Sequence, residues 1–313
     1  MVEISIVIVT WNGKAIVAEC LESLDHYRDD PSVQVIVADN ASTDGTPEMI
    51  RRQYPHVTLI QNDSNLGFSK ANNIGIKLCT GRYIALINSD VRVPDGCLEK
   101  MMDYMQAHPD IGMVGPKMIL PDGGVGDSCM RFPTPMNWFC RALALDTLFH
   151  RWGLFGGFLM KDFRYDRVQN VDVLTGWFWL VRSEAVRQVG VLDERFFFYG
   201  EDIDWSKRFH DAGWRVVFYP EAEAIHNCAA SSSRAPTRFY IEMNRANLQY
   251  FERHHGRLAQ LVFLLSTGIH EVIRLLGYEL AYLLRIGLPS EAQFKVKRSA
   301  ACLRWLMGLK PAR

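Results

Sequence analysis

The sequence predicts an α/β protein built on a doubly wound, mostly parallel sheet with helices on both faces. Three observations lead there. Continuous β-branched runs alternate with helical stretches through the N-terminal third. Those runs lack the in–out alternation of a half-exposed strand, so they read as strands buried on both faces. Polar and acidic residues stand where the runs end, and in open α/β sheets ligands collect at the carboxyl ends of the strands.

"ISIVIVTWN" (4–12) predicts the first strand, with a helix over 14–24. "VQVIVADN" (33–40) predicts the second strand, ending at Asp39. "ASTDGTPEMIRRQ" is a loop opening a helix, with Pro47 near its start. "VTLIQN" (57–62) predicts a third strand, and "NLGFSKANNIGIKLC" a loop and then a helix. "RYIALINSDV" (82–91) predicts the fourth strand, closing on Asn88, Ser89 and Asp90. The middle, 119–172, is rich in Gly, Pro and aromatics and predicts loops with a helix. "VLTGWFWLVRSEAVRQVG" (173–190) predicts a strand running into a helix. "WRVVFYPEAEAIHN" (214–227) predicts a strand ending near His226.

The C-terminal quarter differs in kind. From 257 to 288 the chain is apolar and helical, yet Glu271, Arg274, Glu279 and Arg285 interrupt it. Its longest uncharged stretch, 258–269, falls short of the ~20 residues a membrane span needs. Glu271, Arg274, Tyr278, Tyr282 and Arg285 recur three or four apart, a polar stripe opposite Val272, Ile273, Leu276, Leu280 and Leu283. This predicts an interfacial helix or helical hairpin, and "KVKRSAACLRWLMGLK" (295–310) predicts a helix suited to anionic lipid. The alternative is an ordinary helical subdomain. The predicted boundary separates a catalytic part, 1–235, from a basic helical part, 236–313.

Of the 313 residues 48% are hydrophobic, enough for one large or two modest cores. Formal net charge is zero, which argues against a nucleic-acid partner, but residues 234–313 carry 13 Lys/Arg against 5 Asp/Glu. A basic tail behind an acidic body predicts contact with an anionic membrane surface. Seven scattered cysteines form no pattern for a disulfide framework or structural zinc, so a reducing cytosol is expected. The opening apolar run is too short for a signal peptide. No dinucleotide fingerprint, P-loop or nucleophile elbow is present, which argues against a dehydrogenase, a P-loop nucleotidase and a serine hydrolase.

The candidate chemistry lies in acids at strand ends. A carboxylate at Asp39 can accept a hydrogen bond from a nucleobase imide; the competing role is a turn or helix cap. Asp90 can ligate a hard divalent cation on a diphosphate, with Asn88 on a ribose or a metal-bound water; the competing role is a strand-ending turn. His226 supplies an imidazole of the kind that binds Mn²⁺, or else is an ordinary enclosed histidine. "FFFYGEDIDW" (196–205) sets Glu201, Asp202 and Asp204 beside aromatics. Such a site can raise a carboxylate pKa and stack on a sugar; the competing role is the acidic first turn of a helix.

Five motifs in order, "VIVTWNG", "VIVADNASTDGT", "NLGFSKANNIGI", "GRYIALINSDV" and "VLDERFFFYGEDIDWSKRFHDAGWRVVFYPEAEAIH", resemble the family-two inverting glycosyltransferases, in particular their bacterial rhamnosyltransferase-like branch. The resemblance covers roughly residues 3 to 228. It implies an A-type glycosyltransferase fold and a nucleotide-sugar donor with Mg²⁺ or Mn²⁺. By position it puts Thr10, Trp11 and Asn12 beside the nucleotide and Asp39 on the base. Asn65, Gly67, Phe68 and Asn72 would frame the donor, with Asn88, Ser89 and Asp90 at its diphosphate. Asp90 and His226 would hold the metal; Asn88 replaces the first acid of the family's Asp-x-Asp motif. Gly176, Trp177 and Asp204 fall on the acceptor side. Asp202 is the implied catalytic base, ahead of Glu201. The branch favours dTDP-L-rhamnose, with UDP- or GDP-sugars as alternatives, and a saccharide or polyprenyl-diphosphate-linked acceptor. The basic amphipathic tail would hold the enzyme at the cytoplasmic face of the cell membrane, and a homodimer is a further expectation. A sugar-1-phosphate nucleotidylyltransferase and an inactive scaffold are the competing classes.

Overall fold

The computed structural model describes residues 1–145, 160, 163–227, 235–284, 286 and 289–309. Cys228, Arg285 and Lys310, which figured in the sequence readings, lie outside the described residues. The chain divides into two units. The first comprises Met1–Phe132 and Asp162–Ala230, the second Pro133–Lys161 and Ser231–Arg313.

The first unit is a nine-stranded sheet flanked by helices. Strands β1 (Ile4–Thr10), β2 (Val33–Asp39), β3 (Thr58–Gln61) and β4 (Tyr83–Asn88) occupy the predicted runs. They pair in parallel in the order β3-β2-β1-β4. Helices α1 (Lys14–Ser23), α2 (Thr46–Gln53) and α3 (Phe68–Ile76) connect them. Ile6, Val7, Ile8, Ile36 and Val37 are wholly buried, as runs without alternation require. α3 lies close on β1: a Cβ added at Gly75 would come within 2.4 Å of a Val7 methyl.

Beyond β4 the sheet turns mixed. Strand β5 (Val91–Arg92) and helix α4 (Cys97–Ala107) lead to β6 (Ile111–Ile119). Two short strands, β7 (Cys129–Met130) and β9 (Val173–Leu174), pair apart from the main sheet, while β8 (Gln169–Asn170) joins it. Strand β10 (Phe178–Arg182) inserts antiparallel between β4 and β6, and β11 (Arg215–His226) runs parallel to β6. The sequence reading names no element for β6, which is a core strand. Gly112, Gly115 and Pro116 break the apolar run that marks the other strands. Gly112 and Gly115 are there for space, since a Cβ would meet Phe209 at 2.6 Å and Leu174 at 2.9 Å. Helix α6 (Ser183–Val189) and helix α7 (Glu201–Asp211) complete the unit.

The second unit is helical: α5 (Pro135–Ala142), α8 (Pro236–His254), α9 (Gly256–Leu283) and α10 (Pro289–Leu306). Trp138, Phe251, Ala259 and Phe263 form its apolar centre. α9 is turned opposite to ordinary expectation. Past Ala259 and Phe263, its side toward the neighbouring helices carries polar residues. Glu271 is fully buried and accepts the Tyr240 hydroxyl, and Thr267 accepts the Trp138 indole N–H at 3.1 Å. Arg274 donates to the Tyr278 hydroxyl at 2.9 Å. The apolar residues 272, 273, 276, 280 and 283 face outward, Leu276 being 65% exposed.

Candidate active site

Three strand ends stand side by side. Pairing of β1 with β2 sets Thr10 opposite Asp39, and pairing with β4 sets Val9 opposite Asn88. Thr10, Asp39 and Asn88 therefore share one crest of the sheet. Asp39 is fully enclosed. One carboxylate oxygen accepts the Ser42 N–H at 2.9 Å, while Oδ1 has no hydrogen-bond partner among the described residues. The Thr10 hydroxyl is likewise unpartnered. Leaving a buried polar atom unsatisfied costs about 1–3 kcal/mol, so two such atoms on one crest make it a candidate ligand site.

The loops around the crest are shaped by the predicted asparagines. Asn12, with φ 49°, donates its N–H to the Ser42 hydroxyl and accepts the Thr43 N–H, both at 2.8 Å. Asn65 accepts the Gly67 N–H at 3.0 Å, and Asn72 donates to the Phe68 carbonyl at 3.0 Å. Their side chains are engaged in building the loop that leads into α3. Trp11 is exposed at the crest. Sequence reasoning passed over Asn40, which is buried and joins three segments. It donates to the Gly67 carbonyl at 3.2 Å and accepts from the Asn62 amide at 3.0 Å and the Leu66 N–H at 3.4 Å. A buried amide immediately after a strand-ending acid was the available signal.

Asp90 and His226 meet. Oδ1 of Asp90 lies 3.1 Å from Nε2 of His226, although 136 residues separate them. β5 pairing with β11 brings them together, His226 standing opposite Val91, and the Asn227 N–H donates to the Asp90 carbonyl at 3.0 Å. The ring of Trp177 stacks on His226 at 5.4 Å and 20°. Trp177 is therefore enclosed, and its carbonyl accepts the Asn88 N–H at 2.9 Å. Ser89 is half-buried. Among the described residues no three Asp, Glu, His or Cys side chains gather around one point. An oxygen and an imidazole side by side suit a divalent cation that takes its other ligands from substrate and water.

Asp202 stands in the first turn of α7. α7 starts after Tyr199 and Gly200, both in the left-handed region at φ 69° and 81°. This sharp entry puts Glu201 and Asp202 in the first turn. Burial pushes the Asp202 carboxyl up to about 6, against backbone N–H groups of Ile203, Gly176 and Gly200 that favour its ionised form. Burial first, and then the Asp202 charge, hold Glu201 well above the ordinary glutamate range, and its Oε2 has no partner among the described residues. Gly176, whose N–H meets Asp202, directly precedes the Trp177 that covers His226. Space at Gly176 is limited: a Cβ would lie 3.3 Å from Glu201 Oε1.

Asp204 departs from expectation. It is fully buried and pairs with Arg208 at 2.9 Å one turn along α7, so it holds the helix and does not line a substrate surface.

The profile described as glycosyl transferase family 2 matches residues 5–190, more than half of the chain. The chain belongs to glycosyltransferase family 2. This family-2 enzyme is 30% identical over 272 residues to an N-acetylglucosaminyl-diphospho-decaprenol L-rhamnosyltransferase of Mycobacterium tuberculosis, covering 80% of this chain and 85% of the relative. It is 31% identical over 293 residues to an uncharacterised glycosyltransferase of Escherichia coli K12, covering 87% and 73%. A Pyrobaculum calidifontis mannosyltransferase, solved with GDP-Man and Mn²⁺, matches with a TM-score of 0.55 at 16% identity, over 97% of this chain and 87% of that one. GalNAc-T7, solved with UDP, GalNAc and Mn²⁺, matches with a TM-score of 0.55 at 13% identity, over 80% and 50%. The A-type glycosyltransferase fold expected for this family-2 glycosyltransferase is the fold observed.

Proposed function

We propose that the protein transfers L-rhamnose from dTDP-L-rhamnose, with inversion, to a saccharide carried on a polyprenyl diphosphate at the inner face of the cell membrane. The observation that supports the reading most is the Asp90–His226 pair at 3.1 Å, covered by Trp177, whose neighbour Gly176 meets Asp202. The rhamnosyltransferase relative, matched along most of both chains, supports the sugar and the lipid-linked acceptor.

Each residue then has a chemical task. The unpartnered oxygen of Asp39 accepts the imide N–H of the base, which thymine and uracil share, while guanine presents a different edge. Asp90 and His226 would hold a divalent cation, Mg²⁺ or Mn²⁺, which when bound supplies positive charge against the diphosphate. Asp202 takes the proton of the acceptor hydroxyl as that oxygen bonds to the anomeric carbon. The bond from that carbon to the diphosphate oxygen breaks, and its electron pair leaves with the nucleoside diphosphate. Attack from the face opposite the leaving group inverts the centre in one displacement. Burial and the neighbouring Asp202 charge raise the Glu201 pKa, which disfavours a second negative charge beside the base.

The deciding experiment incubates the protein with dTDP-L-rhamnose, UDP-sugars and GDP-sugars, an N-acetylglucosaminyl-diphospho-polyprenol and Mg²⁺ or Mn²⁺. Nucleoside diphosphate release is expected with dTDP-L-rhamnose. Release only from a UDP- or GDP-sugar would replace the donor, and pyrophosphate release from a nucleoside triphosphate would replace the class. Asp202→Asn is expected to abolish transfer and keep donor binding.

A further inference from the structure

The loop that carries the base is fastened to the helix that carries the donor loop, and the fastening is built around a residue outside the motif positions considered so far. Asn73 on α3 is 1% exposed. Its amide nitrogen donates to the Leu192 carbonyl at 2.8 Å, and its amide oxygen accepts the Leu192 N–H at 3.0 Å. The same nitrogen donates to Glu194 Oε1 at 3.2 Å. A side-chain amide that satisfies both backbone groups of one residue, 119 positions away, fixes position and orientation together.

Two further contacts run from the start of the same helix to the same loop. The Phe68 N–H donates to the Phe197 carbonyl at 2.8 Å, and the Phe68 ring meets Phe198 edge-on at 6.3 Å. Gly67 permits this approach. It sits at φ 81°, and a Cβ there would fall 2.5 Å from the Phe197 carbonyl oxygen. The loop from Leu192 to Gly200 is thus held at Leu192, Glu194 and Phe197 before it delivers Asp202.

We propose that Asn73 is a positioning residue for sugar transfer. It locks the loop that presents the base to the helix that begins in the donor loop, and so fixes the spacing between the acceptor proton and the anomeric carbon. The inference rests on the reading of Asp202 as the base. Asn73 touches neither substrate, so its removal slows turnover and leaves donor affinity in place.

The test uses the full chain with dTDP-L-rhamnose and the lipid-linked acceptor. Asn73→Asp keeps the volume and the bond from the Leu192 N–H, but loses both donated bonds and sets a carboxylate against Glu194. kcat is expected to fall at least about tenfold, since misplacement of a reacting group costs turnover, with donor KM within about twofold. Glu194→Gln in that background restores a donor–acceptor pair in reverse and is expected to recover at least about fivefold of kcat. Should Asn73→Asp fail to fold, Glu194→Ala on the exposed edge of the same contact is expected to lower kcat about threefold with donor KM unchanged. An unchanged kcat in either single variant, or a loss shared by donor KM that Glu194→Gln does not relieve, overturns the assignment. Asp202→Asn run alongside separates the two readings. If it retains turnover the base reading fails; if it is inactive while Asn73→Asp turns over normally, only the positioning role fails.

Discussion

At the scale of single residues, Asp202 answers two opposed demands. A base must be ionised at working pH, yet its surroundings raise its pKa to about 6 through burial. Turnover is therefore expected to rise with pH through about 6 and to level off above about 7, because only the ionised carboxylate accepts the proton. A kcat profile between about pH 5 and 8 checks this, and a flat profile would remove Asp202 as the base. Stability must move the other way. An unfolded aspartate ionises near 3.8, so between that value and about 6 the unfolded chain holds fewer protons than the folded one. Stability then falls as pH rises through that window. Asp202→Asn removes the charge and is expected to stabilise the protein at pH 7.5 in urea denaturation, while transfer is lost. Equal stability of the two proteins would mean that the carboxylate is not desolvated. The acids at strand ends were legible in the sequence because acids seldom interrupt buried runs without cause. Their partners were not. Nothing in the spacing separates Asp202, held by N–H groups, from Asp204, two positions on and neutralised by Arg208.

At the scale of elements, α3 serves the sheet and the site at once. Its inner face touches β1 so closely that Gly75 has no room for a methyl, and its N-terminal end shapes the loop proposed to frame the donor. Gly75→Ala should push the helix off Val7 and cost about 1–3 kcal/mol by overpacking, measured by urea denaturation. Trimming the obstacle in the double variant Gly75→Ala, Val7→Ala should return part of that loss, giving a coupling energy of at least about 0.5 kcal/mol. Strictly additive effects would show that the contact is slack. The four parallel strands were readable because burial on both faces leaves an uninterrupted apolar run. β6 was not, because close approach of Phe209 and Leu174 selected glycines over apolar side chains. The antiparallel course of β10 was hidden for another reason. A strand's residues report its burial and say nothing of its direction, which depends on the path through the residues before it.

At the scale of the whole molecule, the open question is what solvent α9 faces. Leu258, Leu261, Leu265, Ile269, Val272, Leu276, Leu280 and Leu283 follow one another at three- and four-residue spacing, and all are exposed. Periodicity shows that this helix has two faces; it is silent on which one meets protein. The structure gives the buried side to Thr267, Glu271 and their partners, and the outer side to leucines. A helix ordered this way loses hydrophobic stabilisation in water and gains it against acyl chains, at about 25 cal/mol per Å² of apolar surface covered. By length and composition α9 is also long and apolar enough to cross a membrane. The surplus of Lys and Arg in 234–313 favours an anionic surface in either case. If the acceptor is anchored by a polyprenyl chain, a protein seated on the bilayer meets it without extracting it. The full chain is expected to co-sediment with vesicles containing anionic lipid, and more weakly at high salt. Leu265→Gln with Leu276→Gln should weaken that binding by about a hundredfold, as two leucine contacts at roughly 1.5 kcal/mol each would predict. Transfer to a short water-soluble acceptor analogue should be unchanged in the same variant. Failure to bind vesicles, together with a dimer mass in light scattering that the two substitutions halve, would assign the leucine face to a second copy of the chain instead.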